Sequence, residues 1–279
     1  MRLLRGLCVA LLCGAWAGAE TLDEAVARLT KAATETRDVS IKYTVKGVER
    51  MTMRATPFSG TMEFQMLRDG GKTLLRIAAN LTGEVPGKEE GAPPQKREVR
   101  MLSVNDGEFV WTERPAGPDR NLRADKSLPR DRQGLGLGPL SGPVEGAYAA
   151  AGLKGHFEWF QRAYDITLGA KGAVAGRPTT VFDMVRKREG AEKAEPSRAP
   201  VRLVTELDDA TGATLVVKST NAAGEAILDI AATEVKANTG LDKKLFTYTP
   251  PEGMKVIDRT QPPEKSAEPK PPEPEKNAP

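Results

Sequence analysis

The residues that most often carry chemistry are few in this sequence, and none of them forms a catalytic or metal-binding motif. His156 is the only histidine, and the two cysteines, Cys8 and Cys13, both lie within the first 19 residues. A Ser-His-Asp or Cys-His arrangement would have to include His156, and one histidine without cysteine partners is too few for a zinc cluster. We expect His156 to be a surface residue of a short helix.

Two further segments fall short of known motifs. The glycine-rich "GLGLGPLSG" (134–142) has Pro139 or Ser141 where G-x-G-x-x-G requires glycine, which argues against a phosphate-binding loop. Asp208 and Asp209 precede Ala-Thr-Gly and predict a hairpin turn, without the ligand spacing of a calcium loop. Carboxylates are numerous, so a glycosidase-type pair stays open as an alternative, although no pattern marks any two of them. We expect a protein that is not an enzyme and has no metal and no cofactor.

The N-terminal segment predicts export. Residues 1–19, "MRLLRGLCVALLCGAWAGA", combine two arginines, an apolar run and the small-residue site Ala17-Gly18-Ala19, which is typical of a secretory signal peptide. The apolar run is shorter than the roughly 20 residues of a membrane span, so we expect cleavage after Ala19, with an uncleaved anchor as the alternative. The mature chain would have no cysteine and a formal charge of +1, which gives no reason to expect nucleic acid as a partner.

Hydrophobic periodicity predicts one helix followed mostly by strands. In "TLDEAVARLTKAATET" (21–36), Leu22, Val26 and Leu29 share a face, and Thr21 with Glu24 fits a capping box. Ten segments then show the apolar content and alternation of strands: 39–45, 60–67, 73–81, 99–104, 108–113, 164–169, 179–185, 201–207, 213–219 and 226–235. Because alternation with one polar face indicates antiparallel pairing, they predict one large curled sheet or barrel.

Turn signals and breaks divide this pattern. Asn105-Asp106-Gly107, Ala210-Thr211-Gly212 and residues 221–224 each predict a hairpin. Polar Gly/Pro-rich stretches at 83–96 and 113–143 predict long loops. Residues 144–164 look helical, as two short helices around Gly152 or Gly155, and the proline-rich end of the chain predicts an extended, disordered tail.

Several segments together resemble the LolA-like family of outer-membrane lipoprotein-sorting proteins. The segment "GLDKKLFTYTPPEGMKVID" (240–258), in which we expect Phe246 and Tyr248 to alternate in a short strand, resembles the end of that domain. The family's early strand pair, its tryptophan-containing hairpin and its helix–strand–turn–strand block are similar to 59–77, 101–113 (with Trp111) and 157–187 (with Gly176 and Arg177 at the turn). The resemblance extends from about Glu20 to Asp258, leaving 259–279 as the tail.

The resemblance implies both a fold and a function. The fold is α+β: a curled antiparallel sheet that forms an incomplete (half) β-barrel, with helices over its concave face. The function is that of a monomeric periplasmic protein whose cavity shelters acyl chains of a lipoprotein or lipid, as a carrier between an inner-membrane releasing transporter and an outer-membrane acceptor. The alternative is a lipid- or lipoprotein-sensing regulatory module that acts through a protein partner.

The predicted cavity starts from "GTMEFQML" (60–67), where Met62, Phe64 and Met66 occupy alternate positions. Apolar alternation alone favours a packed core, whereas the resemblance implies that this face looks into the lipid cavity. Family members carry an arginine tied to lid closure near the position of Met66, and Arg68 has the same parity one step further. The other residues expected to line the cavity are Leu75, Ile77, Leu102, Val104, Phe109 and Trp111.

Overall fold

The structure is a computed structural model that describes residues 20–49, 56–85, 95–116, 121–129, 142–145, 148, 152–187 and 200–260. The predicted signal peptide with both cysteines, most of the tail, and parts of the two predicted long loops lie outside these residues. The helices are α1 (Leu22–Glu35), the four-residue α2 (Gly142–Glu145) and α3 (Gly152–Gln161), with a 3-10 turn at Lys243–Phe246.

The described residues form thirteen strands, numbered in chain order. They are β1 (Asp38–Glu49), β2 (Thr56–Asp69), β3 (Lys72–Val85), β4 (Gln95–Asn105), β5 (Val110–Ala116), β6 (Asn121–Ser127), β7 (Tyr164–Leu168), β8 (Gly172–Val174), β9 (Arg177–Arg186), β10 (Arg202–Asp208), β11 (Thr214–Thr220), β12 (Ala226–Ala237) and β13 (Lys255–Asp258).

All thirteen strands belong to one open sheet. Its order is β13-β6-β5-β4-β3-β2-β1-β12-β11-β10-β9-β7, with β8 paired to β9 alone. Every pairing is antiparallel except that of β13 with β6, which is parallel. The predicted hairpins at 105–107, 210–212 and 221–224 join β4 to β5, β10 to β11 and β11 to β12. The predicted fold class, an α+β incomplete barrel with helices on one face, is confirmed.

The two faces of this sheet differ in what covers them. We call the face with Ile41, Phe64 and Ile77 the inner face; these three residues are direct neighbours on β1, β2 and β3 and are fully buried. The apolar layer continues across β12, β11, β10 and β9. It is covered by Leu29 of α1, by Phe157 of α3 and by Tyr148, which precedes α3. We call the opposite side the outer face, and the alternation of strands sends the intervening residues there.

The helix predictions agree with the structure. Thr21 and Glu24 form both hydrogen bonds of the capping box at the start of α1, and Ala25, Leu29 and Ala33 form its buried stripe. The second helical segment is divided, with α3 beginning at Gly152, whose φ of +62° is a conformation that glycine adopts without a steric penalty.

Two expectations about the end of the sheet were wrong. Residues 121–127 of the predicted 113–143 loop form strand β6, whose polar sequence "NLRADKS" shows no apolar alternation. Phe246 and Tyr248 are not in a strand, because the Asp242 side chain accepts a hydrogen bond from the Lys244 amide and starts a 3-10 turn instead. The segment that follows forms β13, which lies along the edge strand β6.

Candidate functional site

The predicted cavity strand lies at the centre of the inner face, and its side chains are packed. Met62, Phe64 and Met66 are at most 2 % exposed. The Phe64 ring stacks on the Tyr148 ring with centroids 5.9 Å apart, and the Tyr148 hydroxyl donates to the Thr211 carbonyl at 2.8 Å. Burial raises the pKa of the Tyr148 hydroxyl, so the group stays protonated. In this arrangement the inner face of β1, β2 and β3 is a closed layer between the sheet and the helices.

Five of the ten predicted lining residues share this layer. Leu75 and Ile77 on β3 are the register partners of Met66 and Phe64 on β2 and are buried with them and with Met62. Arg68 follows on the same face at the end of the row, where its side chain is exposed. The spacing in the sequence therefore predicted which residues of β2 and β3 come together.

Leu102, Val104 and Trp111 lie on the outer face, so they cannot line a cavity on the inner one. The register pairs Leu75 with Asn105 and Ile77 with Ser103, which turns Val104 and Leu102 outward; Trp111 is opposite Val104. Both of these β4 residues pack with Phe246 in a second apolar cluster.

Trp111 and Phe109 meet different neighbours. The Trp111 ring lies 5.4 Å from that of Tyr248, beside this second cluster. Phe109 precedes β5, and the Lys126 ammonium lies 3.7 Å from the centroid of its ring. Neither residue is part of the packed inner layer.

Arg68 holds the end of helix α1. Its Nη2 donates to the Ala33 carbonyl at 3.0 Å and its Nε to the Thr36 carbonyl at 3.1 Å, while Nη1 reaches Thr73 Oγ1 at 3.3 Å. The last carbonyls of a helix have no partner within the helix, and the negative end of the helix dipole favours a cation there. One strand side chain thus connects β2 to the end of the helix that covers it.

The first half of α1 is attached by an ion-pair network that the sequence analysis missed. Arg28 donates to Glu20 at 2.8 Å and to Asp209 at 3.0 Å, and Lys171 lies 3.3 Å from Glu20. These residues come from α1, from the residue before its N-cap, from the β10–β11 turn and from the segment before β8. Only the folded chain brings them together, so no local pattern could have predicted the contact.

This network makes the attachment of α1 dependent on pH. Hydrogen bonding to Arg28 lowers the pKa of Glu20 from 4.5. Burial raises the pKa of Asp209, but hydrogen bonds from Thr180 and Arg28 outweigh it, so the pKa falls from 3.8. A carboxylate with a lowered folded-state pKa stabilises the fold above its unfolded-state pKa, and that stabilisation is lost as pH falls through the folded value. We expect an Arg28→Gln variant to melt below the unmodified protein at neutral pH.

Comparing the melting temperatures of Arg28→Gln and the unmodified protein at acid pH tests whether Glu20 and Asp209 are responsible for the difference. As pH falls below 4.5 and 3.8 and then through the lowered folded-state pKa values of Glu20 and Asp209, both carboxylates become protonated, so the difference between the two melting temperatures should shrink. A difference that persists unchanged between pH 7 and pH 3 would contradict the role given to Glu20 and Asp209.

A groove lies away from the predicted lining residues. It has a volume of about 640 Å³, is open to solvent, and is formed where β1, β2, β3, β4 and β12 end. Phe58 lies against Gly47, where an added Cβ would be 2.5 Å from the ring. None of the ten predicted residues lines it; its walls are Lys46, Gly47, Val48, Pro57, Phe58, Ser59, Thr82, Gly83, Glu84, Lys96 and residues 226–229.

His156 lies in α3 and is neutral. His156 packs edge-on against the Phe160 ring at 4.7 Å, and burial lowers its pKa to about 4, so the imidazole is neutral near pH 7. Within the described ranges, no three His, Cys, Asp or Glu side chains are grouped to hold a metal ion. The helices in the same ranges are also too short or too polar to cross a membrane.

The chain's own sheet and helices have the arrangement expected from the sequence resemblance. The architecture is LolA-like. No family model and no curated protein matches the chain, so this statement concerns the fold.

Solved structures match most of the chain at low identity. MucB is 16 % identical over 81 % of this chain and 62 % of that one, with a TM-score of 0.46. An uncharacterized conserved protein from Thermus thermophilus is 14 % identical over 85 % of this chain and 98 % of its own, at 0.44. A LolA superfamily protein from Nitrosomonas europaea is 10 % identical over 82 % and 98 %, at 0.25. The chain spans about three fifths of the MucB structure, and since all these scores lie below 0.5, they assign no function.

Proposed function

We propose that this LolA-like protein is a periplasmic lipid-binding protein that shelters acyl chains against the inner face of its sheet. Of the two roles considered, we propose that of a lipoprotein carrier between the inner and outer membranes. In this proposal the packed inner face is the closed state, and Met62, Phe64, Met66, Leu75 and Ile77 receive the acyl chains when the helices above them move.

The observation that carries the proposal is how the inner face is covered. Seven neighbouring strands present apolar side chains on this face, and the described chain places short helices over it, with Ala25 and Ala33 among the inward residues of α1. Small residues interlock little with the layer below them. Each exposed methylene of an acyl chain costs about 0.8 kcal/mol in water, so a lipid could replace the helix as the cover of this face.

Arg68 supports a carrier that cycles between closed and open states. The LolA-like resemblance implies an arginine tied to lid closure, and Arg68 is the inner-face arginine of β2 that contacts α1. Its bonds to the Ala33 and Thr36 carbonyls hold the helix end without burying the cation, because the side chain remains exposed. Such a contact can break without leaving an unpaired charge in the core.

We expect Arg68→Gln to speed lipid entry. The variant loses the charge-assisted bonds to the two α1 carbonyls, whose net worth of about 1–2 kcal/mol corresponds to fivefold or more in an opening equilibrium. Stopped-flow uptake of a fluorescent fatty acid should accelerate by about that factor, and amide exchange in α1 should become faster. Arg37→Gln, which removes an exposed cation beside the same helix end, is the control and should leave both rates unchanged. Equal rates for Arg68→Gln and the unmodified protein would contradict the closing role.

Native mass spectrometry tests the proposed function itself. Protein purified from the periplasm should carry additional mass that corresponds to acyl-containing lipid, and this mass should disappear after delipidation. If no such mass is present and a fluorescent fatty acid does not bind, the lipid-binding proposal fails.

Depletion separates the carrier from the sensor. Loss of a carrier should leave lipoproteins in the inner membrane, whereas loss of a lipid-sensing module should alter a stress response while lipoproteins still reach the outer membrane. The second result would contradict the carrier role and favour the regulatory alternative.

A further inference from the structure

One edge of the sheet carries an excess of positive charge on its inner face. Asp125 of β6 contacts three guanidinium groups: Arg114 Nη2 lies 3.1 Å and Arg123 Nη2 3.4 Å from its Oδ2, and Arg259 Nε lies 3.5 Å from its Oδ1. Lys255 of β13 is the register partner of Arg123 and is exposed. We call these five residues the edge cluster.

The edge cluster is not balanced by its own carboxylate. Arg114 and Arg123 are directly opposite each other on β5 and β6, a placement in which like charges repel and destabilise a sheet. Asp125 is 92 % buried, and one carboxylate neutralises only one of the three guanidinium charges. Among the described residues, Arg123 Nε and Asp125 Oδ1 are buried without a hydrogen-bond partner. The cluster therefore retains donors and positive charge beyond those that Asp125 satisfies.

Two arginines of the edge cluster are accessible at the surface. The side chains of Arg114 and Arg259 are 44 % and 55 % exposed, on either side of the buried carboxylate. Guanidinium groups present their N–H donors in a fixed planar fork that matches the oxygens of a phosphate, and such charge-assisted bonds are the strong ones. Arg114 already donates from Nε and Nη2 to Asp125 Oδ2 at 3.2 and 3.1 Å, so a phosphate group placed between these arginines would meet the remaining donors of Arg114 and the guanidinium of Arg259.

We propose that the edge cluster is a binding site for a phosphate group. The site lies on the same face of the sheet as the apolar layer, beyond β3 and β4. The bound group is the phosphate of a lipid headgroup or free phosphate ion. The lipid source rests on the proposed function, because the acyl chains would then occupy the inner face; the anion site itself does not.

Calorimetry on residues 20–279 with three ligands tests the site. The ligands are short-chain phosphatidic acid, the diacylglycerol that differs from it only by lacking phosphate, and inorganic phosphate. The variant Arg114→Gln/Arg259→Gln should bind phosphatidic acid at least about tenfold more weakly than the unmodified protein, and bind diacylglycerol equally well. The control pair Arg100→Gln/Arg162→Gln removes two exposed arginines elsewhere. It should leave the affinities for phosphatidic acid and for diacylglycerol unchanged. The single variant Arg259→Gln keeps two of the three arginines and should show a smaller loss of affinity for phosphatidic acid.

The outcomes separate the two sources and the two proposals. Phosphatidic acid binding well above inorganic phosphate identifies a lipid headgroup, and equal binding identifies free phosphate. If neither lipid binds but inorganic phosphate binding is lost in the double variant, the anion site stands and the lipid-binding function fails. If the double variant binds phosphatidic acid and phosphate like the unmodified protein, or if the control pair weakens both equally, the edge cluster is not a phosphate site.

Discussion

Replacing Phe64 by glutamate is expected to unfold the protein at ordinary temperature. Phe64 has no exposed surface and is surrounded by the apolar residues of the inner face, with Tyr148 stacked against its ring. Loss of a buried phenylalanine alone costs about 3–5 kcal/mol, and a buried carboxylate without a partner adds several more. Since whole domains are stable by about 5–15 kcal/mol, thermal or urea denaturation should show little or no cooperative transition.

Thr61→Glu is the matched control for this variant. Thr61 lies three residues earlier on the same strand, on the outer face, and is exposed, so the same carboxylate should change stability by no more than about 0.5 kcal/mol. A folded Phe64→Glu protein with a melting temperature close to that of Thr61→Glu would show that the inner face is already open to water. The inner face would then not be closed in the folded protein.

The second large effect is expected at Asp208. Asp208 is fully buried and accepts hydrogen bonds from Arg177 Nε and Nη2 at 3.0 and 2.8 Å, as well as from the Thr211 hydroxyl. It shapes the β10–β11 turn, in which Gly212 packs against Leu29 and Ala33 of α1. Removing one partner of a buried ion pair costs about 3–5 kcal/mol, so we expect Asp208→Asn to lower the free energy of unfolding by that amount in urea denaturation.

The exposed pair Arg202–Asp183 gives the comparison. It has similar geometry, with a shortest distance of 2.6 Å, but the Arg202 side chain is 57 % exposed. Surface ion pairs contribute about 0–1 kcal/mol, so Asp183→Asn should destabilise by less than 1 kcal/mol. If both asparagine variants had equally small effects, burial of Asp208 would not be what makes its ion pair important.

The sequence predicted the inner face well because local alternation determines it. Met62, Phe64 and Met66 keep a strict two-residue period on one strand, and Leu75 and Ile77 follow after a tight turn at Gly70-Gly71, so register and face are both readable. The same parity placed Arg68 on the inner face, although its bonds to the carbonyls of α1 depend on where the helix packs.

The outer-face placement of Leu102, Val104 and Trp111 could not be read in this way. Their face depends on the register of β4 against β3, which pairs Ile77 with Ser103, and a shift of one residue would reverse every side chain. The long polar connection between these strands carries no turn signal that fixes the register.

The edge cluster shows a different limit of sequence reading. Its arginines come from β5, from β6 and from the residue after β13, and neither of the last two strands was predicted from apolar periodicity. Edge strands are commonly short and charged, so their sequences resemble loops. The convergence of three arginines on Asp125 exists only after β13 joins β6 in parallel.

A reversible tether between α1 and the sheet tests whether acyl chains reach the inner face only when α1 moves. A Cβ on Gly212 would lie 2.9 Å from the Cβ of Ala33, near the 3.5–4.5 Å of a disulfide, but also 2.6 Å from the Leu29 carbonyl oxygen, so the backbone must shift to accept it. The Gly212→Cys single variant has the same displacement and is therefore the reference. Residues 20–279 contain no other cysteine, and any strain from the positive φ of Gly212 is present in both redox states.

The decisive measurement is fluorescent fatty-acid binding to Ala33→Cys/Gly212→Cys, oxidised and then reduced. If α1 must move, the oxidised protein does not bind the fatty acid, and the reduced protein binds it like the Gly212→Cys single variant. Equal binding in both states would contradict this requirement, because lipid would then bind without any movement of α1 from the sheet.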